Sequence, residues 1–237
     1  KCYVCGKVTY EKDREVNMSQ PKPSIPNETL DTIDSYDTRG VQERGITKQV
    51  AMHYGMKVSY NMDGTIEAHY YPYTKKGGVV AYKIRQLPKD FRVKGNFNDI
   101  ELFGQSSFSR GGKTLVITEG ELDAMAVAQA NLSQGNKIYP AVSLPSSSNL
   151  QPLIANREWV RSFDTVVLMF DQDEAGEGAV DKAAKIIGWD KVKVAHLPEN
   201  DPCETLIKHG PSAIINAFWG AKKYTPASVV RGEAIWE

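Results

Sequence analysis

The stretch "TLVITEGELDAMA", Thr114 to Ala126, decides the fold class because it joins a buried strand to a helix through a cluster of acids. Its first apolar residues, 115–117, predict a short core strand. Three carboxylates, Glu119, Glu121 and Asp123, follow within five residues. Like charges this close repel and raise one another's pKa, so we expect a bound divalent cation to offset them.

From Gly111 onward, strand-like apolar runs alternate with helix-like segments. The predicted strands are KTLVIT, KIYPAVSL, TVVLMF and KVKVAHL, and the predicted helices are ELDAMAVAQAN, LQPLIANREWVRSF and DEAGEGAVDKAAKIIGW. Near-continuous apolar strands separated by helices predict an α/β fold with a central, mainly parallel sheet flanked by helices. Ligands of such sheets bind beyond the carboxyl ends of the strands.

A second acidic cluster, "MFDQDEAGEG", places Asp171 and Asp173 after the predicted strand TVVLMF. Residues two apart in an extended chain project to the same side. If the two strands are neighbours, these acids converge with Glu119 and Asp123 on one pocket. Oxygen ligands favour Mg²⁺ or Mn²⁺ over zinc. The alternative is that the acids stabilise helix N-termini, which explains some of them but not Glu119 together with a matching D-x-D.

The composition restricts the function only loosely. The chain has 237 residues, 41% of them hydrophobic, and its 29 basic and 29 acidic residues cancel to a net charge of zero. A nucleic-acid surface must therefore come from local segregation of charge. No apolar run is long enough to span a membrane. Cys2, Cys5 and Cys203 make no disulfide framework, which favours a reducing, intracellular setting.

The N-terminal segment "KCYVCGK" holds Cys2 and Cys5 at the spacing of half a tetrahedral zinc site. We interpret it as the end of a zinc-binding module whose first half lies upstream; two free thiols are the alternative. This fragment alone is not expected to hold zinc tightly. Residues 8–35 are polar and carry three prolines, which predicts a flexible linker.

A basic region follows the predicted linker. TRGVQERGITKQVAMHYGM is predicted to contain a short helix, and GTIEAHYYPYT and GGVVAYKIRQL are predicted to be paired strands. Between Lys75 and Lys94, seven basic residues accompany one acid, Asp90. Lys83 and Arg85 are two residues apart, so they project from the same face of their strand. A solvated charged surface is the alternative to a binding site.

The two acidic motifs carry a family resemblance. "VITEGELDAMA" and "LMFDQDEAGEGA" resemble the E-G-x-x-D and D-x-D signatures of the Toprim domain. With the Cys-x-x-Cys pair, the linker, "ERGIT", "AYKIRQLPKDFR" and "IELFG" in this order, the chain resembles the primase half of bacteriophage bifunctional primase–helicases. The mitochondrial helicase Twinkle is a related case.

The resemblance implies a DNA primase, a nucleotidyltransferase that makes short RNA primers on single-stranded DNA from ribonucleoside triphosphates. It also implies Mg²⁺ or Mn²⁺, Zn²⁺ only in a full-length zinc-binding module, a fused C-terminal helicase in a ring oligomer, and the cytoplasm of the host cell. Another Toprim enzyme, either a topoisomerase or a nuclease fragment, and a catalytically silent single-stranded DNA-binding module remain alternatives.

The resemblance also implies roles for individual residues. Glu119, Asp171 and Asp173 match the catalytic acids. The metal ligands implied are Glu119, Asp123, Asp171, Asp173 and Asp201, with Cys2 and Cys5 for zinc. The residues implied to bind nucleotide or template are Lys83, Arg85, Lys89, Arg92, Ser146 and Ser147. The serines stand where related sequences have glycines, so nucleotide binding is expected to be weaker.

These motifs divide the chain into five predicted parts. They are the remnant of a zinc-binding module at 1–7, a flexible linker at 8–35, a basic α+β subdomain at 36–110, a Toprim catalytic domain at 111–200, and a C-terminal helix with the start of a linker to the helicase at 201–237.

Overall fold

The computed structural model describes residues 28–146 and 148–226. Cys2, Cys5, most of the predicted linker, Ser147 and the end of the predicted C-terminal segment therefore lie outside the described residues. Within the described part of the chain, no helix is long and apolar enough to cross a membrane.

The described residues form two sheets and eight α-helices. The strands are β1 Lys57–Tyr60, β2 Ile66–Lys75, β3 Gly78–Gln86, β4 Asp90–Gly95, β5 Gly112–Thr118, β6 Ala141–Ser143, β7 Phe163–Leu168, β8 Val192–Val194 and β9 Lys222–Lys223. The α-helices are α1 Leu30–Asp34, α2 Lys48–His53, α3 Glu121–Gly135, α4 Gln151–Ala155, α5 Arg157–Val160, α6 Glu174–Ile187, α7 Pro202–His209 and α8 Pro211–Trp219.

The second sheet has the order β6-β5-β7-β8-β9, and all its pairs are parallel except that of β8 with β9. This confirms the predicted mainly parallel sheet flanked by helices. β5 and β7 are direct neighbours, with Ile117 in register with Leu168. Their carboxyl ends therefore lie side by side, which is the condition for the two acidic motifs to meet.

The first sheet is an antiparallel meander, β1-β2-β3-β4, and it forms the smaller α+β subdomain that was expected. β2 is buried on both faces: Tyr71 and Tyr73 contact the main core, whereas Tyr70 belongs to a separate cluster beneath α1. The predicted linker was wrong at its C-terminal end, since residues 30–34 are the helix α1. The reason is that Ile33 is fully buried against the meander.

A single hydrophobic core joins the two sheets. It contains Tyr71 and Tyr73 from the meander together with Val116 from β5 and Met125 from α3. α3 is apolar on most of its surface because it packs against β5 and β6 of the parallel sheet and also against α2, α7 and α8. A second core, on the other face of the parallel sheet, lies beneath α4, α5 and α6.

Some elements differ from their prediction. The segment predicted as one helix near residues 150–163 is two short helices, α4 and α5, which meet at Asn156. The Asn156 side chain donates to the carbonyl oxygens of Ile100 and Pro152, so it competes with a continuous helix. The strands β1 and β4 were not predicted, because their residues alternate weakly and lie at the edges of the meander.

Candidate active site

The acids of the two motifs meet at the carboxyl edge of the parallel sheet. Glu119 follows β5 directly, and Asp171 lies three residues beyond the end of β7. The backbone N–H of Asp171 donates to Glu119 Oε1 at 3.3 Å. Glu119 is only 9% exposed, although it carries a carboxylate. The first acids of the two motifs therefore lie together at this edge of the sheet.

The first turn of α6 closes one side of this site. Asp173 is the N-cap of α6, and its Oδ1 accepts the backbone N–H of Gly176 at 2.8 Å. Gly176 lies against the backbone of Asp171, and a Cβ there would overlap the Asp171 carbonyl oxygen and lie 3.0 Å from Glu119 Oε1. Only a glycine allows α6 to approach the two acids this closely.

A second acidic pair lies where α3 and α7 begin. Asp123 is in the first turn of α3, and its Oδ1 accepts the backbone N–H of Cys203 at 3.3 Å. Asp201 is the N-cap of α7 and accepts the backbone N–H of Glu204 at 2.6 Å. Helix N-termini thus stabilise Asp123, Asp173 and Asp201, each through one carboxylate oxygen.

The acids are close enough to perturb one another. Burial, followed by the charges of Glu119, Asp201 and Asp173, raises the pKa of Asp171 to about 7. Burial and the charges of Asp201 and Asp171 raise the pKa of Asp123 well above its usual range. Burial and the neighbouring Asp123 also raise the pKa of the Cys203 thiol to about 12, so Cys203 is a buried, neutral side chain.

The acidic edge has the donor chemistry of a site for a hard divalent cation. It offers only carboxylate oxygens, and the crowding that raises the pKa of Asp171 would be relieved by a positive charge. Among the described residues, however, no three His, Cys, Asp or Glu side chains are close enough to form a complete metal site. The arrangement fits a cation held by one or two carboxylates with water and substrate oxygens, which is the usual mode of Mg²⁺.

The basic side of the site comes from β3. Lys83 Nζ lies 2.8 Å from Glu121 Oε1 and donates to the carbonyl oxygen of Pro145 at 2.6 Å. Glu121 is 4% exposed and also accepts the hydroxyl group of Tyr73 at 2.5 Å. Glu121 is therefore a partner of β2 and β3 rather than a member of the acidic pairs, a role that the sequence did not indicate.

Arg85 projects from the same face of β3 as Lys83, as predicted. Phe91, opposite Arg85 on β4, lies beneath both cations, with its ring centroid 5.1 Å from Lys83 Nζ and 5.9 Å from Arg85 Cζ. A cleft of about 240 Å³ lies between these residues and the second acidic pair, Asp123 and Asp201. Its lining includes Arg44, Lys83, Arg85, Lys89, Phe91, Glu121, Asp123 and Asp201.

Arg44 was missed by sequence reasoning, because it comes from a short 3₁₀ helix, Gln42–Arg44, far from the other basic residues in the chain. Two other predicted positions are not at the cleft lining. Arg92 is paired with Ile84 across the meander and donates to Gln86 Oε1 at 3.1 Å, so it lies on the opposite face, the one that packs against α1. Ser146 is exposed after β6, with its hydroxyl group 3.2 Å from that of Ser148.

The chain is similar to a known protein family and to a phage protein. Residues 116–206 match the model of the Toprim-like family. A DNA helicase/primase of Enterobacteria phage T3 is 32% identical over 97% of this chain, and the chain spans 41% of the length of that relative. The relation to Twinkle stays a prediction.

Two solved structures of bacteriophage T7 are similar along most of their length. The crystal structure of the primase fragment of the T7 primase–helicase has a TM-score of 0.71 and 30% identity, over 84% of this chain and 83% of the fragment. The T7 primase domains bound to an RNA/DNA hybrid and dTTP, in a complex with the lagging-strand DNA polymerase, have a TM-score of 0.70 and 32% identity, over 79% of this chain and 94% of theirs. This chain therefore belongs to the family of primases found in phage primase–helicase proteins.

Proposed function

We propose that this chain is the catalytic part of a DNA primase, which joins ribonucleotides into short RNA primers on single-stranded DNA. The observation that carries the proposal is the meeting of Glu119 and Asp171 at the ends of adjacent strands. They lie near Asp123 and Asp201, which line a cleft together with Lys83 and Arg85. Acids on one side can accept the proton of the reacting hydroxyl group and hold a cation at the phosphate groups. Cations on the other side can bind the polyanionic substrates.

In this reaction the 3′-hydroxyl oxygen of one ribonucleotide attacks the α-phosphorus of the next ribonucleoside triphosphate. The bond from the α-phosphorus to the oxygen that bridges to the β-phosphate breaks, and pyrophosphate leaves with the electron pair. We assign the proton of the attacking hydroxyl group to Glu119, since its carboxylate is buried at the strand end and oriented by the Asp171 N–H.

The basic side of the cleft would bind phosphate groups. Arg85 and Lys89 line the cleft and have no carboxylate partner within salt-bridge distance among the described residues. Lys83 is held by Glu121 and Pro145, and one of its three N–H groups is left for a ligand. Phosphate contacts of this kind give affinity and salt dependence but do not read the base sequence.

We assign Mg²⁺ or Mn²⁺ to the acidic edge, where Asp171 and the unused oxygens of Asp123, Asp173 and Asp201 would hold it. When bound, such a cation neutralises the charge that develops on the phosphate oxygens. Ribonucleoside triphosphates and a single-stranded template are the proposed substrates. A fused helicase in a ring, and the host cytoplasm as the place of action, are inferred from the phage relatives.

The experiment that tests the proposal is incorporation of labelled ribonucleotides by the purified chain, with Mg²⁺ or Mn²⁺. An oligoribonucleotide annealed to single-stranded DNA should be used as well as the bare template, because its extension does not depend on recognition of a start site. We expect extension by the wild type and a loss of about 100-fold or more in Glu119→Gln, in the range of acid–base groups. DNA cleavage without incorporation would instead favour the topoisomerase or nuclease alternative, and binding without either reaction would favour the silent module.

A further inference from the structure

Tyr73 is a buried aromatic residue whose hydroxyl group contacts Glu121, a residue of the cleft lining. The side chain is 0% exposed, and its ring packs against Phe97 and Phe103 at centroid distances of 4.7 Å and 6.0 Å. Its hydroxyl group donates to Glu121 Oε1 at 2.5 Å. Because the ring is held by aromatic packing, the hydroxyl group offers Glu121 a donor at a fixed place.

Glu121 has a second donor on the next strand. Lys83 Nζ lies 2.8 Å from the same oxygen, Oε1, and 3.1 Å from Oε2. Tyr73 on β2 and Lys83 on β3 project from the same face of the meander, the one that contacts the parallel sheet. Together they keep the negative charge of Glu121 on the basic side of the cleft, although Glu121 is only two residues before Asp123 in the chain.

Lys83 in turn connects Glu121 to the chain that follows β6. Its ammonium group donates to the carbonyl oxygen of the buried Pro145 at 2.6 Å, so two of its three N–H groups are used inside the protein. Lys83 also lines the cleft. The direction of its third N–H group is therefore set by the positions of Glu121 and Pro145.

We propose that Tyr73 is a positioning residue, which fixes the Lys83 ammonium group through Glu121 so that one N–H faces a phosphate group of the nucleotide. The inference rests on the proposed function for the identity of that phosphate group. A hydrogen bond from a neutral hydroxyl group to a buried carboxylate is one of the stronger kinds in proteins, so its removal should be measurable.

The first test is the kinetics of Tyr73→Phe in the primer-extension assay. We expect the KM for the ribonucleotide to rise about tenfold while kcat changes less than about twofold, since the lost bond acts on binding through Lys83. Tyr82→Phe is the matched control: Tyr82 is on the same sheet, 1% exposed, and donates to the carboxylate of Asp34 at 3.2 Å, but on the opposite face. It should leave the KM unchanged.

A double mutant separates positioning from a general effect on the fold. In the Lys83→Met background, Tyr73→Phe should raise the KM no further, because the group that it positions is gone. Additive effects of the two substitutions would overturn the inference, as would an unchanged KM in Tyr73→Phe alone. A loss of thermal stability equal to that of Tyr82→Phe, with no change in KM, would show Tyr73 to be an ordinary core residue.

The second test does not depend on activity. The acetylation rate of Lys83 by an amine-reactive ester, without nucleotide, can be followed by peptide mass spectrometry, with the exposed Lys185 as internal reference. We expect Lys83 to react at least about threefold faster in Tyr73→Phe than in the wild type or Tyr82→Phe. Without the Tyr73 hydroxyl group Glu121 is no longer held in place, so its ion pair with Lys83 opens more often. Unchanged reactivity would overturn the inference. Faster reaction in a chain that makes no primers would refute the primase proposal and leave the positioning role standing.

Discussion

The parallel sheet places acidic groups where its strands end and the following helices begin, whereas the antiparallel meander places basic groups on one of its faces. The acids are crowded, so that the pKa of Asp171 rises to about 7. The cations Lys83 and Arg85 both lie over the ring of Phe91, and Lys83 has a carboxylate partner of its own. The crowded carboxylates therefore favour the binding of a cation. On the basic side, Glu121 already offsets the positive charge of Lys83.

The largest effect should distinguish the two acids of the D-x-D motif. Asp171→Asn removes the more buried charge and should lower primer extension about 100-fold or more, with a higher metal concentration needed for half-maximal rate. Asp173→Asn should be milder, since asparagine is as good an N-cap for α6 as aspartate. Primer extension by both variants should be measured as a function of metal concentration. Titration curves like that of the wild type in both variants would refute a shared cation at this edge.

Packing at the acidic edge can be tested with two glycines of the same helix. Gly176→Ala forces α6 away from Asp171, and we expect a loss of about 1–3 kcal/mol in the free energy of unfolding together with a loss of activity well above tenfold. Gly178 is exposed and a Cβ there meets nothing within 4 Å, so Gly178→Ala should stabilise the protein by roughly 0.5–1 kcal/mol. Urea unfolding and primer extension would check both. Equal effects of the two substitutions would contradict the close approach at Gly176.

The raised pKa of Asp171 gives a third prediction, on pH. A proton and the cation compete for this carboxylate, so apparent Mg²⁺ affinity should fall about tenfold from pH 8 to pH 6. The stability of the metal-free protein should change with pH in the opposite direction. Because the pKa of Asp171 is higher in the folded than in the unfolded protein, the free energy of unfolding should decrease as pH rises from about 4 to 7. Thermal unfolding at pH 5 and pH 8, with and without Mg²⁺, measures both. A melting temperature that Mg²⁺ raises equally at both pH values would contradict the assignment.

The smallest effect concerns the two faces of the meander. Arg85→Ala removes a cation at the cleft, and we expect primer extension to fall about fivefold on every template, with a flatter salt dependence if the partner is DNA. Arg92→Ala removes a cation beside α1 and should change the rate less than about twofold. A comparable loss in both variants would show that the substrate contacts both faces.

The acidic side could be predicted from the sequence because each motif is continuous and follows a recognisable strand. Glu119, Asp171 and Asp173 needed only the assumption that β5 and β7 are neighbours, and the sheet order supplies it. The parallel sheet and its flanking helices were predicted for the same reason, since long apolar strands alternate with helices.

The basic side could not be predicted as well, because the register between antiparallel strands decides which of their side chains share a face. Arg92 is near Lys89 in the chain, but its pairing with Ile84 turns it away from the cleft. Tertiary packing brings Arg44 to the cleft and Tyr73 to Glu121 in its lining, and no local pattern marks either residue. The ion pair between Glu121 and Lys83 could not be predicted for the same reason. The sequence around a carboxylate does not indicate which distant cation it contacts in the fold.

The core that joins the two sheets has a mechanical consequence. Tyr71 and Tyr73 of the meander pack with Val116 and Met125 of the Toprim-like part, so separating the halves would expose this apolar surface to water. The two walls of the cleft are therefore expected to move as one rigid body, without a hinge between the sheets. Substrates must then enter through the open side of the cleft. The chain divides by topology near residue 111, but it should melt in one cooperative step, and a fragment cut there should aggregate.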